Sequence, residues 1–312
     1  TSLSFRKKMA GKIFKKTSEY DASISKSINL NHTNDFLISH KYKQLLKYGE
    51  NYHQKSIFYS NETKNTFLKG VIQGKEITYN NVLDLDSAYK CINDFKIPTC
   101  AIIKHNNPCG VASNRNMNKA FILAKKCDPI SSFGGVIAFN RSVNEKLAKN
   151  IIKDFYQIVL APNFTIKALK IFEAKNNLLI IKSKNFKEKD NIEVKSANNG
   201  YLVQEKNNVN IGIKDIKLVS NIKANKNKIN DLLFALKVCK HVKSNAIVLV
   251  KNNATLGIGA GQMSRIDSTK LAINKIGNKN NSFVAASDAF FPFLDNIQIL
   301  VKKNCNAIIQ PS

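Results

Sequence analysis

Lys104 and His105 stand side by side, after the apolar run Ala101-Ile102-Ile103 and before Asn106-Asn107-Pro108-Cys109-Gly110. An imidazole exchanges a proton near neutral pH, and an ammonium beside it balances negative charge, so the pair suits proton transfer to or from a bound molecule. The apolar run reads as a buried strand, and the Asn, Pro and Gly after it read as a tight loop. In open α/β sheets ligands sit outside the carboxyl ends of strands, where this loop would lie. Lys104 or His105 alone would read as a basic surface turn, since single exposed Lys and His are common. Further polar and glycine-rich stretches after apolar runs elsewhere in the chain favour a site.

Lys47-Tyr48-Gly49-Glu50-Asn51 crowds polar groups around one glycine, ahead of a strand at Ser56 to Tyr59. It reads equally as a surface loop or as a loop whose Lys47 and Tyr48 hold an anion. Asn81 lies at the start of a helix running to Phe95, where capping alone would explain it. Asp128-Pro129-Ile130-Ser131-Ser132-Phe133-Gly134-Gly135 offers backbone N–H groups to a ligand, or is a plain turn. Gly257-Ile258-Gly259-Ala260-Gly261 fails the dinucleotide spacing, although alternating glycines let a backbone approach a neighbour closely. Ser264 and Arg265 open a helix to Lys275, where an anion is favoured. Asp288-Ala289-Phe290-Phe291-Pro292-Phe293-Leu294-Asp295-Asn296 places three Phe between acids, a fair stacking platform for a flat ring.

The elements that carry these stretches follow from periodicity. Helices are expected over Met117 to Lys126, Asn144 to Lys153 and Asn230 to Cys239. Strands are expected at Ile97 to Ile103, Ile158 to Ala161, Val242 to Val250 and Ala307 to Ile309. Phe5, Met9, Ile13 and Phe14 predict an N-terminal helix with one buried face, followed by a linker at Asn29 to Asn34. Apolar content falls across residues 182–199, so a flexible crossing between two units is expected there.

The 312 residues, 43% of them hydrophobic, suffice for one large or two ordinary cores. No apolar run approaches the ~20 residues that span a bilayer, and the first residues lack a secretory pattern. The cysteines form no C-x-x-C pair and suggest no disulfide framework, so reduced thiols in the cytosol are expected. The net charge of +27 comes from lysines spread among Asn and Ile rather than from a basic arm. A specific nucleic-acid surface is therefore not expected, and the field would instead attract a small anionic ligand. Zinc deaminases carry H-x-E and P-C-x-x-C. Here Asn107 stands where that Glu would be, and Pro108-Cys109 lacks a second Cys, so no metal is expected.

Taken together, Lys104-His105-x-x-Pro108-Cys109-Gly110, Ser244-Asn245-Ala246-Ile247-Val248, Gly257 to Arg265 and Ser287 to Phe293 closely resemble the bifunctional AICAR transformylase/IMP cyclohydrolase family of purine biosynthesis. The resemblance runs from about Tyr42 to Ser312, and residues 1–30 look like the last helix of that family's cyclohydrolase domain. It implies an α/β fold of two cytidine-deaminase-like α/β/α subdomains with mixed sheets and no zinc. Residues 1–40 would be the cyclohydrolase tail and linker, 41–190 the first subdomain and 191–312 the second. It also implies a homodimer with shared sites, and transfer of a formyl group from 10-formyltetrahydrofolate to the 5-amino group of AICAR, giving FAICAR. Lys104, His105 and Asn245 would carry the chemistry. Lys47, Tyr48, Asn81, Ser132, Phe133, Gly134, Gln157, Ser264 and Arg265 would hold AICAR. Phe290, Phe293, Asp295 and Asn296 would hold the folate.

Some positions depart from the family pattern. Lys47 replaces Arg, keeping the charge and losing the two-pronged fork. Tyr52 replaces Pro, Gln157 stands where an acid is usual, and Leu294 where Arg is frequent. The family continues past Gln310-Pro311 and carries a full cyclohydrolase domain, so a fragment incomplete at both ends, without ring closure, is expected.

Overall fold

A computed structural model describes residues 1–28, 42–60, 66–183, 191–277 and 282–311. Helix α1 (Leu3–Ile28) precedes a hairpin of β1 (Tyr42–Leu45) and β2 (Ile57–Ser60), then strand β3 (Val71–Gln73). The first half continues as α2 (Tyr79–Asn93), β4 (Thr99–Lys104), β5 (Asn107–Ser113), α3 (Met117–Cys127), the single turn α4 (Pro129–Ser132), β6 (Val136–Phe139), α5 (Glu145–Ile151), β7 (Ile158–Ala161), α6 (Ile166–Phe172) and β8 (Leu179–Lys182). A hairpin of β9 (Ile192–Ala197) and β10 (Gly200–Glu205) follows. The second half is α7 (Lys226–Cys239), β11 (Ile247–Lys251), β12 (Ala254–Gly259), α8 (Arg265–Ile276), β13 (Phe283–Ser287), α9 (Leu294–Lys302) and β14 (Cys305–Ile309).

The fold is α/β around one mixed ten-stranded sheet, in the order β14-β13-β11-β12-β5-β4-β6-β7-β8-β3. Both halves use one recipe: a helix, an antiparallel hairpin, a helix, then a strand laid antiparallel beside the hairpin's first strand and a parallel strand beyond it. The two hairpins meet antiparallel at the centre, Ala254 opposite Ala112. Alternating strand residues fill opposite faces. Ala101, Ile103, Val248 and Val250 pack under α2 and α7. Cys100, Ile102, Ile137 and Val159 pack under α3, α5 and α6, while Ile247, Leu249 and Ala285 pack under α8 and α9. This period-two division of apolar residues is what a sheet covered on both faces requires.

Matching residues build matching details in the two halves. In the first, the Asp84 carboxylate on α2 accepts the backbone N–H groups of His105 and Asn106, at 3.3 and 2.6 Å. In the second, Asp231 on α7 accepts those of Asn252 and Asn253, at 2.8 and 2.7 Å. All four turn residues have positive φ, from 51 to 61°. Two successive left-handed residues make the tight turn whose twist suits a hairpin. Gly110 and Gly257 also correspond. A Cβ on either would lie 2.0 Å from a helix carbonyl, that of Ala124 or of Ala272. Only glycine lets α3 and α8 sit this close to the sheet.

Several expectations change. Asn107 to Gly110, read as a loop, is the start of β5, because the turn is only His105-Asn106 and the chain returns at once into the sheet. Thr255 to Gly259 is likewise strand, and its glycines serve helix packing. The strand expected from Val242 begins only at Ile247, since Lys243 to Ala246 is a loop containing a cis Ser244–Asn245 peptide bond. Of the expected crossing at 182–199, Lys182 ends β8, residues 184–190 lie outside the described residues, and residues 191–199 enter the β9–β10 hairpin. The Asn29 to Asn34 linker also lies outside them. Helix α1 forms as expected, but its apolar face is exposed, Phe14 by 73%. Helical spacing sets which side chains share a face, not whether anything covers it.

Candidate active site

The first group of expected site residues gathers around the open edge between β3, α2 and β7. Thr78 caps α2: its hydroxyl accepts the Asn81 N–H, and the Asn81 side-chain oxygen accepts the Thr78 N–H, both at 3.2 Å. Capping thus does explain part of Asn81. Its other end, Nδ2, donates to Gln157 Oε1 at 2.9 Å. A cavity of about 390 Å³ opens there, lined by Lys47, Lys75, Glu76, Thr78, Asn81, Phe155, Gln157, Asn177 and Leu179. Lys47 is held at the rim by its N–H to the Ile77 carbonyl, and the Tyr48 carbonyl accepts from Tyr79. Lys75, Asn177 and Phe155 escaped the sequence reading. The cue for Lys75 was its place just before the capped start of α2.

The Ser132-Phe133-Gly134 turn closes one side of this region. The Gly134 N–H donates to the Phe155 carbonyl at 2.8 Å, and the Phe133 and Phe155 rings lie 5.2 Å apart. The Phe133 carbonyl accepts Lys104 Nζ at 2.7 Å. Asp128 caps this turn through the Ser131 N–H and pairs with Lys275 of α8. Burial raises the Asp128 carboxyl, yet the bonds from Lys275 and Ser131 outweigh it and hold the group below its ordinary value. Ser132 itself is buried and bonds the Pro129 carbonyl, so what this turn exposes is Phe133 and backbone.

His105 is exposed at the β4–β5 turn, and its ring forms no hydrogen bond among the described residues. A free imidazole beside an ammonium anchored by one carbonyl is chemically available. Asn107 then ties this turn to the second half: its side-chain oxygen accepts the Lys243 N–H at 2.9 Å.

The second group lies just past Lys243. Asn245 Nδ2 donates to the carbonyls of Gln262 and Met263, at 2.8 and 3.1 Å, and its Oδ1 accepts Arg265 Nη2 at 2.8 Å. Both amide hydrogens of Asn245 are therefore engaged in this arrangement, and neither is left to donate to a bound molecule. Arg265, with a side chain only 11% exposed, pairs with Asp288 and bonds Ser287 Oγ. Burial raises the Asp288 carboxyl, but bonds from Ser244, Arg265 and the Ala246 amide prevail and hold it below its ordinary value. Ser264 caps α8 through the Asp267 N–H. Phe290 and Phe293 present open aromatic faces beyond Asp288, and Asp295 is exposed. Asn296 is buried and accepts from Thr269 at 2.8 Å. Among the described residues no group of three His, Cys, Asp or Glu is arranged to hold a metal ion, and no helix is long and apolar enough to cross a membrane.

The chain is thus a doubled α/β unit with an unpartnered imidazole at one turn and a lysine-rimmed cavity beside α2. The model of the AICARFT/IMPCHase bienzyme family matches residues 1–275, and the chain belongs to that family. Among similar curated proteins is the bifunctional purine biosynthesis protein PurH of Buchnera aphidicola subsp. Baizongia pistaciae, 49% identical over 88% of this chain and 54% of that protein. PurH of Fusobacterium nucleatum subsp. nucleatum is 43% identical over 98% of this chain and 61% of its own length. PurH of Aquifex aeolicus is 41% identical over 99% and 63%. The chain thus spans little more than half of each relative's length.

Proposed function

We propose that this chain is a formyltransferase of purine biosynthesis, moving the formyl group of 10-formyltetrahydrofolate to the 5-amino group of AICAR to give FAICAR. The observation that carries this is the Lys104–His105 turn, with its free imidazole, tied through Phe133 and Phe155 to the Lys47–Gln157 cavity. The AICAR amine is a weak nucleophile, because its ring and carboxamide withdraw the lone pair. It loses a proton as it attacks the formyl carbon, and His105 accepts that proton. The tetrahedral oxygen carries the new negative charge, and the Lys104 ammonium stabilises it. When the intermediate collapses, the C–N bond to the folate breaks and the folate nitrogen takes a proton from His105. Asn245 serves by holding Arg265 and the Gln262-Met263 backbone beside the reacting groups.

Lys47 and Lys75 form no ion pair among the described residues and suit the phosphate of AICAR. Phe290 and Phe293 offer faces for the flat folate ring, with Asp295 at their side. Asn296 would support that helix from within. We take 41–190 and 191–312 as the two subdomains, and the cytosol as the place of action. A homodimer is also part of the proposal. It is supported by the β9–β10 hairpin and the segment after it, which expose Tyr201, Leu202, Ile213, Leu218 and Val219, apolar side chains that a second copy would cover.

The test is to mix purified protein with AICAR and 10-formyltetrahydrofolate and follow FAICAR. Steady product formation supports the reading. Binding of AICAR by calorimetry without product would instead favour a non-catalytic nucleotide-binding module.

A further inference from the structure

We propose that Lys275 is a positioning residue for Lys104, acting through Asp128 and the turn that Asp128 caps. The inference rests on the formyltransferase reading above, in which the Lys104 ammonium meets the tetrahedral oxygen. Lys104 carries its charge on a long flexible stem, and a cation speeds a reaction only if it is held where negative charge develops. Among the described residues its Nζ has one hydrogen-bond partner, the Phe133 carbonyl at 2.7 Å. The place of the ammonium is therefore set by the place of that carbonyl. Phe133 closes the single turn α4, and the start of that turn hangs on Asp128. The Asp128 carboxylate divides its oxygens: Oδ1 accepts the Ser131 N–H at 3.0 Å, and Oδ2 accepts Lys275 Nζ.

Lys275 comes from the other half of the chain, on the last turn of α8. Its stem is fixed at the base, because α8 is pressed onto β12: a Cβ on Gly257 would lie 3.2 Å from the Lys275 Cβ. Asp128 is buried, and Lys275 is its one ion-pair partner among the described residues. Without that ammonium the carboxylate is left with Ser131 alone, and swinging out to water relieves it at the expense of the cap. At its other end α8 carries Arg265, which bonds the Asn245 side chain at 2.8 Å. One helix thus braces both sides of the candidate site. Its first residue holds the Asn245 loop, and its last turn holds the support of Lys104. A misplacement of about 1 Å at a reacting group can cost about a hundredfold in rate.

The experiment is a double-mutant cycle on the full chain, read as kcat for FAICAR formation, with Lys275→Met, Lys104→Met and the two together. The Lys275 side chain is 36% exposed, so methionine there keeps the fold, and thermal melts verify it. K275M is expected to lower kcat by about ten- to a hundredfold in the unaltered protein. Where Lys104 is already Met, the same substitution should change kcat by less than about twofold, whereas a role in the fold alone would lower both backgrounds alike. Lys275→Arg keeps a cation for Asp128 and should hold kcat within about threefold of the unaltered rate. Lys270→Met removes an equal charge from the exposed face of the same helix and should leave kcat unchanged. Equal loss from K275M in both backgrounds overturns the assignment, as does a K275M protein at full rate. No FAICAR from the unaltered protein overturns the formyltransferase reading, and this assignment with it.

Discussion

The Lys243 N–H meets the Asn107 side-chain oxygen at 2.9 Å, and this single bond sets the His105 turn against the Ser244-Asn245 loop. Lys243 precedes the loop that Arg265 and Asp288 organise, and Asn107 follows the turn that carries the imidazole. Residues far apart in the chain thus share one edge of the sheet, because two hairpins meet antiparallel at its centre.

His105 holds a positive φ that suits Asn, the residue its counterpart Asn252 supplies. His105→Asn is therefore expected to lose turnover by about 10²- to 10⁴-fold with an unchanged melting temperature. His105→Ala should lose the same turnover and also about 1 kcal/mol of stability. Product formation and thermal melts read the two effects separately, and H105N with full turnover would end the base assignment.

Asp84 and Asp231 do the same structural work at two turns, only one of which carries an imidazole. Asp84→Ala and Asp231→Ala should each cost about 1.5–3 kcal/mol in urea unfolding, as expected for charged hydrogen bonds. Activity per folded molecule should fall in D84A and hold in D231A. Equal activity in the two would detach the His105 turn from catalysis.

Gly110→Ala and Gly257→Ala would each drive a Cβ into a helix carbonyl. Each should cost about 1–3 kcal/mol or more, by overpacking. A substitution that melts with the unaltered protein would mean that α3 or α8 shifts freely, against the close packing described above.

Asp94, Asp128 and Asp288 are each raised by burial but lowered further by their partners: His241 and Lys240, Lys275 and Ser131, and Ser244 and Arg265. Their folded pKa values thus lie below the unfolded value of about 4. Their contribution to stability is complete above that value and is lost as pH falls through the folded pKa values. Melting temperature should be steady above about pH 5 and drop in acid. Asp288→Asn should melt lower at neutral pH yet lose less on acidification. An equal acid slope in both proteins would remove Asp288 from this account.

Much of the fold was open to reading in one dimension. Apolar periods mark α2, α3, α5 and β7 almost to the residue, because burial on one face or both leaves a repeat that needs no distant partner. Ser264 and Arg265 announce the start of α8 by capping chemistry alone. The doubling was also written in the chain, as Asp84-Leu85 against Asp231-Leu232 and Lys104 to Gly110 against Lys251 to Gly257, but it surfaces only when those stretches are laid beside each other. The hairpin at His105-Asn106 was hidden, since the Asp84 carboxylate that stabilises its two left-handed residues comes from a separate helix.

The chain's own order of residues decided which groups exist to react: a lysine and a histidine in tandem, a capped asparagine, aromatic faces near the end. Which of them have a free hand was decided only in three dimensions. Folding engages both amide hydrogens of Asn245, sinks Asn296 against Thr269, and leaves the His105 ring unspent. A hydrogen-bonding group has few places to give, and only the packed structure determines which neighbour takes them.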